Sequence, residues 1–162
     1  MRHLKPLRRA RGLTLVELMV GLAIAALLAV AAAPSFTEYM ANSRLRENAN
    51  TLYAQILYAQ SEAIKRNTVV RVAVATGTIV VSDRDDPANP VTLRTVPLTH
   101  GIGATATTLD FGGEGRPVGF NPAAIDFSHP NQSCSSAVRC PGLRVDGGGG
   151  VRLCSDHTSS CS

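Results

Sequence analysis

The sequence predicts an α+β protein in which a long N-terminal helix packs on a small antiparallel β-sheet domain. Apolar residues recur at helical spacing up to about residue 67, whereas short β-branched runs separated by glycine and proline follow. The 162 residues fit one domain of ordinary size, and 44% hydrophobic with 17% charged residues excludes a wholly disordered chain. We divide the chain into residues 1–12, 13–33, 34–67 and 68–162.

Residues 1–12 form a basic leader. Five of the 16 lysines and arginines precede Gly12, so the other 11 face 12 acidic residues and leave the rest of the chain at about −1. The formal net charge of +4 therefore belongs to the leader and does not indicate a nucleic-acid surface on the folded part.

Residues 13–33 form an apolar segment whose one charged side chain is Glu17. A helix of this length, at about 1.5 Å per residue, spans the roughly 30 Å hydrocarbon core of a bilayer. Because only basic charges precede the segment, the positive-inside tendency keeps residues 1–12 in the cytoplasm and the bulk of the chain across the membrane. An ordinary secretory signal, cleaved within residues 29–33, is the alternative.

Glu17 is unusual in such a segment. An ionised side chain near the bilayer centre costs about 2.5–3.5 kcal/mol, so these residues are rare and usually paired. Near the start of the helix, water and lipid headgroups lower that cost. The residue alone therefore allows two interpretations: a tolerated interfacial carboxylate, or a carboxylate that awaits a cationic partner.

The segment from Gly12 to Leu18, GLTLVEL after a basic leader, resembles the signal of type IV prepilins and pseudopilins. In that family a prepilin peptidase cleaves after the glycine, the new N-terminal residue is N-methylated, and a glutamate pairs with the N-terminal amine of a neighbouring subunit. The resemblance implies cleavage between Gly12 and Leu13, methylation of Leu13, and an assembly role for Glu17. Leu13 stands where the family usually has phenylalanine.

Residues 34–67 predict an amphipathic helix that follows a kink at Pro34. Apolar residues recur at spacings of three and four, and polar residues occupy the opposite side. The expected apolar stripe contains Phe36, Met40, Leu45, Ala49, Leu52, Tyr53, Ile56, Leu57, Ala63 and Ile64. The expected solvent face contains Glu38, Arg44, Arg46, Glu47, Gln55, Glu62 and Lys65.

Beyond residue 68 the apolar period becomes that of β-strands. Residues 69–76 and 78–82, separated by Gly77, predict a β-hairpin. Further strands are expected at 91–97, 105–111, 117–120, 125–127, 142–146 and 150–154. The acidic loop 83–90 lacks the spacing of an EF-hand, which argues against a calcium site there.

Two later segments resemble GspH/FimT-type minor pilins and pseudopilins: residues 59–67, AQSEAIKRN, and residues 111–117, FGGEGRP. Together with the N-terminus, the resemblance spans most of the chain and is weakest at residues 121–142. It implies a type IV pilin-like fold in the inner membrane with a periplasmic domain. The expected partners are other pilins or pseudopilins, the prepilin peptidase, an inner-membrane assembly platform and the lipid bilayer. The expected destination is a type IV pilus or a type II secretion pseudopilus.

Four cysteines, Cys134, Cys140, Cys154 and Cys161, lie in the last 29 residues. The alternative is a zinc site formed by these cysteines and His157. The C-x₅-C and C-x₆-C spacings of the cysteines differ from those of a zinc knuckle, and an oxidising compartment favours disulfides. Loop length alone favours Cys134–Cys140 with Cys154–Cys161, and a crossed pairing stays open.

No catalytic arrangement emerges from the sequence. His100, His129 and His157 lie in predicted loops, and the G-x-S-x-G motif of serine hydrolases is absent. We expect a protein that assembles and is not an enzyme, without cofactor or metal.

Residues 147–154, GGGGVRLC, suggest an alternative function. DNA-uptake members of the resembled family carry a Gly-Arg-x-Arg motif; aligned on Leu-Cys, this chain has Gly150 where the first arginine would stand and keeps Arg152. The alternative is a DNA-binding minor pilin for natural transformation, in which Arg152, Arg144 and Arg139 contact phosphates. The missing arginine and the near-neutral charge favour a simple glycine-rich turn.

Overall fold

The computed structural model describes residues 14–75 and 77–161. The chain forms two compact units, Met1–Thr37 and Glu38–Ser162. The leader, Gly12 and Leu13 lie outside the described residues.

A single helix, α1, runs from Leu15 to Arg66 and includes Pro34. Thr14 caps its start, because the Thr14 Oγ1 hydroxyl accepts the Glu17 backbone N–H at 3.2 Å. The Pro34 carbonyl accepts the Thr37 hydroxyl at 2.7 Å. The kink at Pro34 and the boundary between residues 33 and 34 stay predictions.

The C-terminal end of α1 is set by Asn67, which adopts a left-handed φ of 53°. The Thr68 N–H donates to the Ala63 carbonyl at 3.3 Å, which satisfies one of the last open carbonyls of the helix. Lys65 and Arg66 lie in the last turn, where cations interact favourably with the helix dipole.

The buried face of α1 repeats every seven residues. Its buried residues are Ala41, Leu45, Asn48, Ala49, Leu52, Gln55, Ile56, Ala59, Glu62 and Ala63. Gln55 and Glu62 were expected on the solvent face, and that expectation is wrong. Leu57 and Ile64, expected in the apolar stripe, are 42% and 57% exposed. Leu57 and Ile64 directly follow the buried residues Ile56 and Ala63. One residue turns the helix by about 100°, which places both side chains outside the narrow buried face.

Two polar residues on the buried face, Asn48 and Glu62, find partners within the domain. The Asn48 Oδ1 accepts the Thr99 N–H at 2.7 Å, and the Asn48 amide donates to the Arg44 carbonyl at 2.8 Å. The Glu62 carboxylate accepts Arg66 Nε at 2.7 Å. This hydrogen bond is the largest of several that hold the Glu62 pKa below its ordinary value. Asn48 and Glu62 are tolerated on the buried face because they are hydrogen-bonded, whereas the buried Gln55 Oε1 has no hydrogen-bond partner among the described residues.

Two four-stranded antiparallel sheets form the rest of the second unit. Their strands are β1 (Val70–Ala75), β2 (Thr78–Asp83), β3 (Val91–Pro97), β4 (Gly103–Ala104), β5 (Thr107–Phe111), β6 (Ala123–Ser128), β7 (Gly142–Val145) and β8 (Val151–Cys154). The strand orders are β3-β2-β1-β5 and β4-β6-β7-β8. The fold class is confirmed, with two small sheets in place of one.

The expected β1–β2 hairpin is confirmed, with Gly77 at a φ of 74° in the turn. The expected strand at 117–120 is wrong, because Val118–Phe120 forms a 3₁₀ helix. Proline at 117 has no N–H to donate, and Gly119 has a φ of 75°, so the segment cannot continue a ladder. The two-residue strand β4 was not predicted.

One buried cluster joins α1 to both sheets. Its largest side chains are Phe111 from the first sheet and Phe127 from the second, both fully buried. Burying a side chain of this size stabilises a fold by about 1.5–3 kcal/mol. These contacts hold the sheets on one face of α1.

Candidate assembly helix and basic surface

The described part of the first unit, residues 14–37, has apolar side chains exposed on all sides of the helix. The large ones are Leu15, Val16, Leu18, Met19, Val20, Leu22, Ile24, Leu27, Leu28, Val30 and Phe36. This part of α1 is long and apolar enough to cross a membrane. A helix that is apolar all round needs a lipid or protein environment.

Glu17 lies in the first turn of α1, where the helix dipole favours a negative charge. It is the one charged side chain between residues 14 and 37. Among the described residues, no side chain donates to its carboxylate. The carboxylate is therefore available to a cation from outside the described part of this chain.

The structure joins Cys134 to Cys140 and Cys154 to Cys161, the pairing that loop length favours. His157 Nε2 lies 3.9 Å from Cys134 Sγ, so the residues of the zinc alternative are close together. Because the sulfurs bond to one another, they offer no thiolates to a metal. The arrangement is that of a cross-linked C-terminal segment.

Arg144 and Arg152 lie opposite each other on β7 and β8. Arg144 Nη1 donates to Asp126 Oδ1 at 2.7 Å, so the charge of this arginine is compensated within the domain. Arg152 is exposed and makes no ion pair among the described residues. Of the two, Arg152 alone is free to meet a phosphate.

Arg139 lines a groove together with Arg46, whereas Arg144 and Arg152 line a neighbouring cavity of about 290 Å³. The groove and the cavity share Leu153, Cys154 and Ser155. The Arg139 backbone N–H donates to Asn42 Oδ1 at 2.8 Å, which fixes the loop on α1. Arg139 therefore lines a groove that adjoins the cavity of the other two arginines.

The glycine-rich turn between β7 and β8 is organised by Asp146, which sequence reasoning missed. Asp146 Oδ1 accepts the N–H groups of Gly148 at 2.9 Å and Gly150 at 2.8 Å. A Cβ at position 150 would lie 2.5 Å from Asp146 Oδ2. A larger residue at position 150 would therefore require the Asp146 side chain to move.

Gln60 was also missed, although it lies in a segment that carries the family resemblance. Gln60 Nε2 donates to the carbonyls of Gly149 at 2.7 Å and Gly115 at 3.2 Å. A Cβ at Gly113 would lie 2.5 Å from Asn67 Oδ1. Segments 59–67 and 111–117, which both carry the family resemblance, thus pack against each other. This close contact leaves no room for a side chain at position 113.

Comparison with known proteins supports the pilin-like interpretation. Residues 48–157 match the family model described as Type II transport protein GspH, and residues 7–33 match the Prokaryotic N-terminal methylation motif. No curated protein sequence matches the chain.

Two crystal structures of the type IV minor pilin FimU from Pseudomonas aeruginosa strain PAO1 share the fold. Both FimU structures are 14% identical to this chain. The first has a TM-score of 0.59 and covers 73% of this chain and 92% of the FimU chain. The second has a TM-score of 0.58 and covers 71% of this chain and 95% of the FimU chain. At this identity the likeness is evidence about the fold alone. The GspH family model matches more than half of the residues of this chain, which therefore belongs to the GspH family of minor pilin and pseudopilin proteins.

Proposed function

We propose that this chain is a minor pilin or pseudopilin subunit that enters or primes a filament, in a type IV pilus or a type II secretion system, through its N-terminal helix. The observation that carries the proposal is the start of α1, where apolar side chains face every direction and Glu17 is the one charge. Membership of the GspH family and the matched methylation motif support it.

Before assembly, the apolar part of α1 anchors the chain in the inner membrane, with the basic leader in the cytoplasm and Glu38–Ser162 in the periplasm. The peptidase then cleaves between Gly12 and Leu13, and Leu13 is N-methylated. In the filament the exposed apolar side chains of α1 pack against the helices of neighbouring subunits. Lipid contacts are thereby exchanged for helix contacts.

Glu17 sets the register of that packing. Cleavage creates an amine on each subunit, and an amine and a carboxylate are each costly in a lipid environment. Pairing the Glu17 carboxylate with a neighbour's amine compensates both charges. A displaced helix would leave the two groups unpaired, so the pair selects one axial position.

The chemistry of this function is assembly, and it requires no cofactor or metal. Periplasmic location also accounts for the disulfides Cys134–Cys140 and Cys154–Cys161 in a compartment that keeps them oxidised. The proposed partners are other pilins or pseudopilins and the assembly platform.

The test is replacement of Glu17 by alanine. We expect Glu17→Ala to stay in the membrane fraction but to fall at least about tenfold in the filament fraction, because it leaves an amine unpaired. Glu38→Ala, at an exposed carboxylate further along α1, is the matched control and should assemble normally. Both fractions are measured by immunoblot, and normal incorporation of Glu17→Ala would refute the mechanism.

DNA binding is the second candidate, favoured by the exposed Arg152, which makes no ion pair within residues 14–75 and 77–161. The ion pair between Arg144 and Asp126 weighs against it. A gel shift of the detergent-solubilised chain at two salt concentrations, with Arg152→Ala alongside, distinguishes the candidates. A shift that weakens with salt and with this substitution supports DNA binding, and the absence of any shift removes it.

A further inference from the structure

Cys134, Cys140 and His157 form a cluster of three side chains whose types bind soft metal ions. The two Sγ atoms and one ring nitrogen of His157 all lie within 4.8 Å of one another. In a tetrahedral zinc site, bonds of about 2.3 Å to sulfur and about 2.0 Å to nitrogen place neighbouring ligand atoms about 3.5–3.8 Å apart. His157 Nε2 lies 3.9 Å from Cys134 Sγ, so this edge of the cluster has nearly the length found in a zinc site.

The His157 ring also has the surroundings of a zinc ligand. Its Nε2 faces the sulfur, whereas its Nδ1 lies 3.9 Å from Asp126 Oδ2. Histidines that bind metals commonly direct their second ring nitrogen at a carboxylate, which fixes the ring and leaves the other nitrogen free to bind. Asp126 is itself held, because its Oδ1 accepts Arg144 Nη1 at 2.7 Å. Asp126 is therefore placed to orient the ring without binding the metal.

Backbone contacts hold the cluster together independently of the sulfur–sulfur bond. The His157 N–H donates to the Cys140 carbonyl at 2.7 Å, which joins two segments that are distant in sequence. Between the two cysteines, the Ser135 N–H donates to the Val138 carbonyl at 2.8 Å and closes the loop. These hydrogen bonds use no sulfur atom. We therefore expect the three side chains to stay close together when the disulfide is reduced.

Reduction of the Cys134–Cys140 disulfide releases the two sulfur ligands. Cys134 is half-buried and Cys140 is fully buried, so an attacking thiolate reaches Cys134 Sγ first. A dithiol reductant forms a mixed disulfide with Cys134 and expels the Cys140 thiolate. Its second thiol then attacks its own sulfur in the mixed disulfide and releases Cys134. Two electrons and the two thiol protons pass to the cysteine pair, and the reductant becomes a disulfide.

We propose that the reduced chain binds one Zn²⁺ through the Cys134 and Cys140 thiolates and His157 Nε2, with water as the fourth ligand. Binding releases the two thiol protons to solvent. Thiolate and imidazole ligands select zinc over calcium and magnesium, which prefer oxygen. Water completes the site because the cluster has no fourth cysteine, histidine or carboxylate ligand among the described residues. The disulfide and the zinc site are alternative states of the same pair of sulfurs.

This inference goes beyond the proposed function and does not depend on it. Assembly involves the first part of α1 and needs no metal, whereas the zinc site belongs to the C-terminal segment of the reduced chain. In that state the metal takes the place of the disulfide as the cross-link between Cys134 and Cys140. Normal assembly of Glu17→Ala would overturn the assembly mechanism and leave the zinc site standing.

The test measures zinc binding by the full chain in detergent, before and after reduction. The reduced chain is freed of a phosphine reductant without air and titrated with Zn²⁺ against a chromogenic chelator. We expect one Zn²⁺ per reduced chain and none on the oxidised chain, whose sulfurs are bonded to each other. Co²⁺ in place of Zn²⁺ should give thiolate-to-metal charge-transfer bands. No binding after reduction, or equal binding by both forms, overturns the proposal.

Matched variants identify the ligands. His157→Ala should weaken zinc binding by the reduced chain at least about tenfold, whereas His100→Ala, at an exposed histidine outside the cluster, should leave it unchanged. The paired variant Cys154→Ser with Cys161→Ser should still bind one Zn²⁺, because the second disulfide supplies no ligand. If binding requires Cys154 or Cys161, or persists in denaturing urea, an unfolded chain holds the metal and the proposal is wrong.

Asp126→Asn tests the positioning of the ring. It should weaken zinc binding about tenfold and leave the thiolate-to-cobalt bands in place, because the three ligands remain. This substitution also disturbs the ion pair with Arg144. Arg144→Gln breaks the same ion pair but keeps the carboxylate beside His157, and it should not weaken binding. Equal weakening by both variants would assign the effect to the ion pair and overturn the positioning role of Asp126.

Discussion

The two parts of α1 differ in what surrounds them, although they belong to one continuous helix. Between residues 14 and 37 the large apolar side chains are exposed. Between residues 38 and 66 a seven-residue repeat buries ten side chains, three of which are polar. The described residues cover few of the apolar side chains of the first part, whereas the second part packs against the sheets of its own unit.

This difference separates assembly from stability. Substitutions between residues 14 and 37 should change what the chain joins and leave the unfolding of the second unit unchanged. Substitutions on the buried face of the second part should do the opposite. The predictions below test that separation in order of decreasing effect.

The largest effect is expected from Leu52→Ala. Leu52 is fully buried in the core, and truncating such a leucine costs about 2–5 kcal/mol through lost burial and a cavity. Leu27→Ala, at a side chain that is 72% exposed, is the matched variant and should cost less than about 0.5 kcal/mol. Urea unfolding of the detergent-solubilised chain, followed by circular dichroism of the β-sheet signal, measures both. Equal losses would show that the two parts of the helix form one cooperative unit.

A smaller loss is expected when either disulfide is removed. Each closes a short loop, with sequence separations of 6 and 7, and loop entropy predicts a loss of about 2–2.5 kcal/mol for each. The paired serine variants Cys134→Ser with Cys140→Ser, and Cys154→Ser with Cys161→Ser, should therefore unfold at lower urea concentration. Membrane insertion, which depends on the first part of α1, should be unaffected. A loss of insertion in either variant would contradict the separation.

Patterns along the sequence predicted most of the fold because each depends on neighbouring residues. The apolar spacing revealed α1, and β-branched runs with Gly77 revealed the first hairpin. The strand expected at 117–120 was wrong because positive φ at Gly119 and Phe120 is not visible in a hydrophobicity pattern. Strand β4 was missed because two residues carry too little pattern to detect.

The candidate site was predictable to the extent that it is local. Glu17 stood out as a charge within an apolar run, and the matched methylation motif covers that run. Asp146 and Gln60 were missed because their contacts join segments far apart in sequence, 89 residues apart for Gln60 and Gly149. The burial of Glu62 was missed because a glutamate is expected at the solvent-exposed surface. The hydrogen bond from Arg66, which compensates the buried carboxylate, is visible only in the structure.

The smallest effect concerns Glu62 of α1, which is paired with Arg66 within its own domain, in contrast to the proposed pairing of Glu17 with the amine of another subunit. The Arg66 hydrogen bond lowers the pKa of Glu62 from its ordinary 4.5. Because the folded pKa is the lower one, the pair stabilises the fold above about pH 4.5, and this contribution is lost as the pH falls through the folded value. Glu62→Gln should therefore be less stable than the natural chain at pH 7, with a difference that narrows below pH 4.5. Urea unfolding at pH 7, 4.5 and 3 measures this, with Glu47→Gln on the exposed face as control. A constant difference across that range would mean that the Glu62 carboxylate acts through packing and not through its charge.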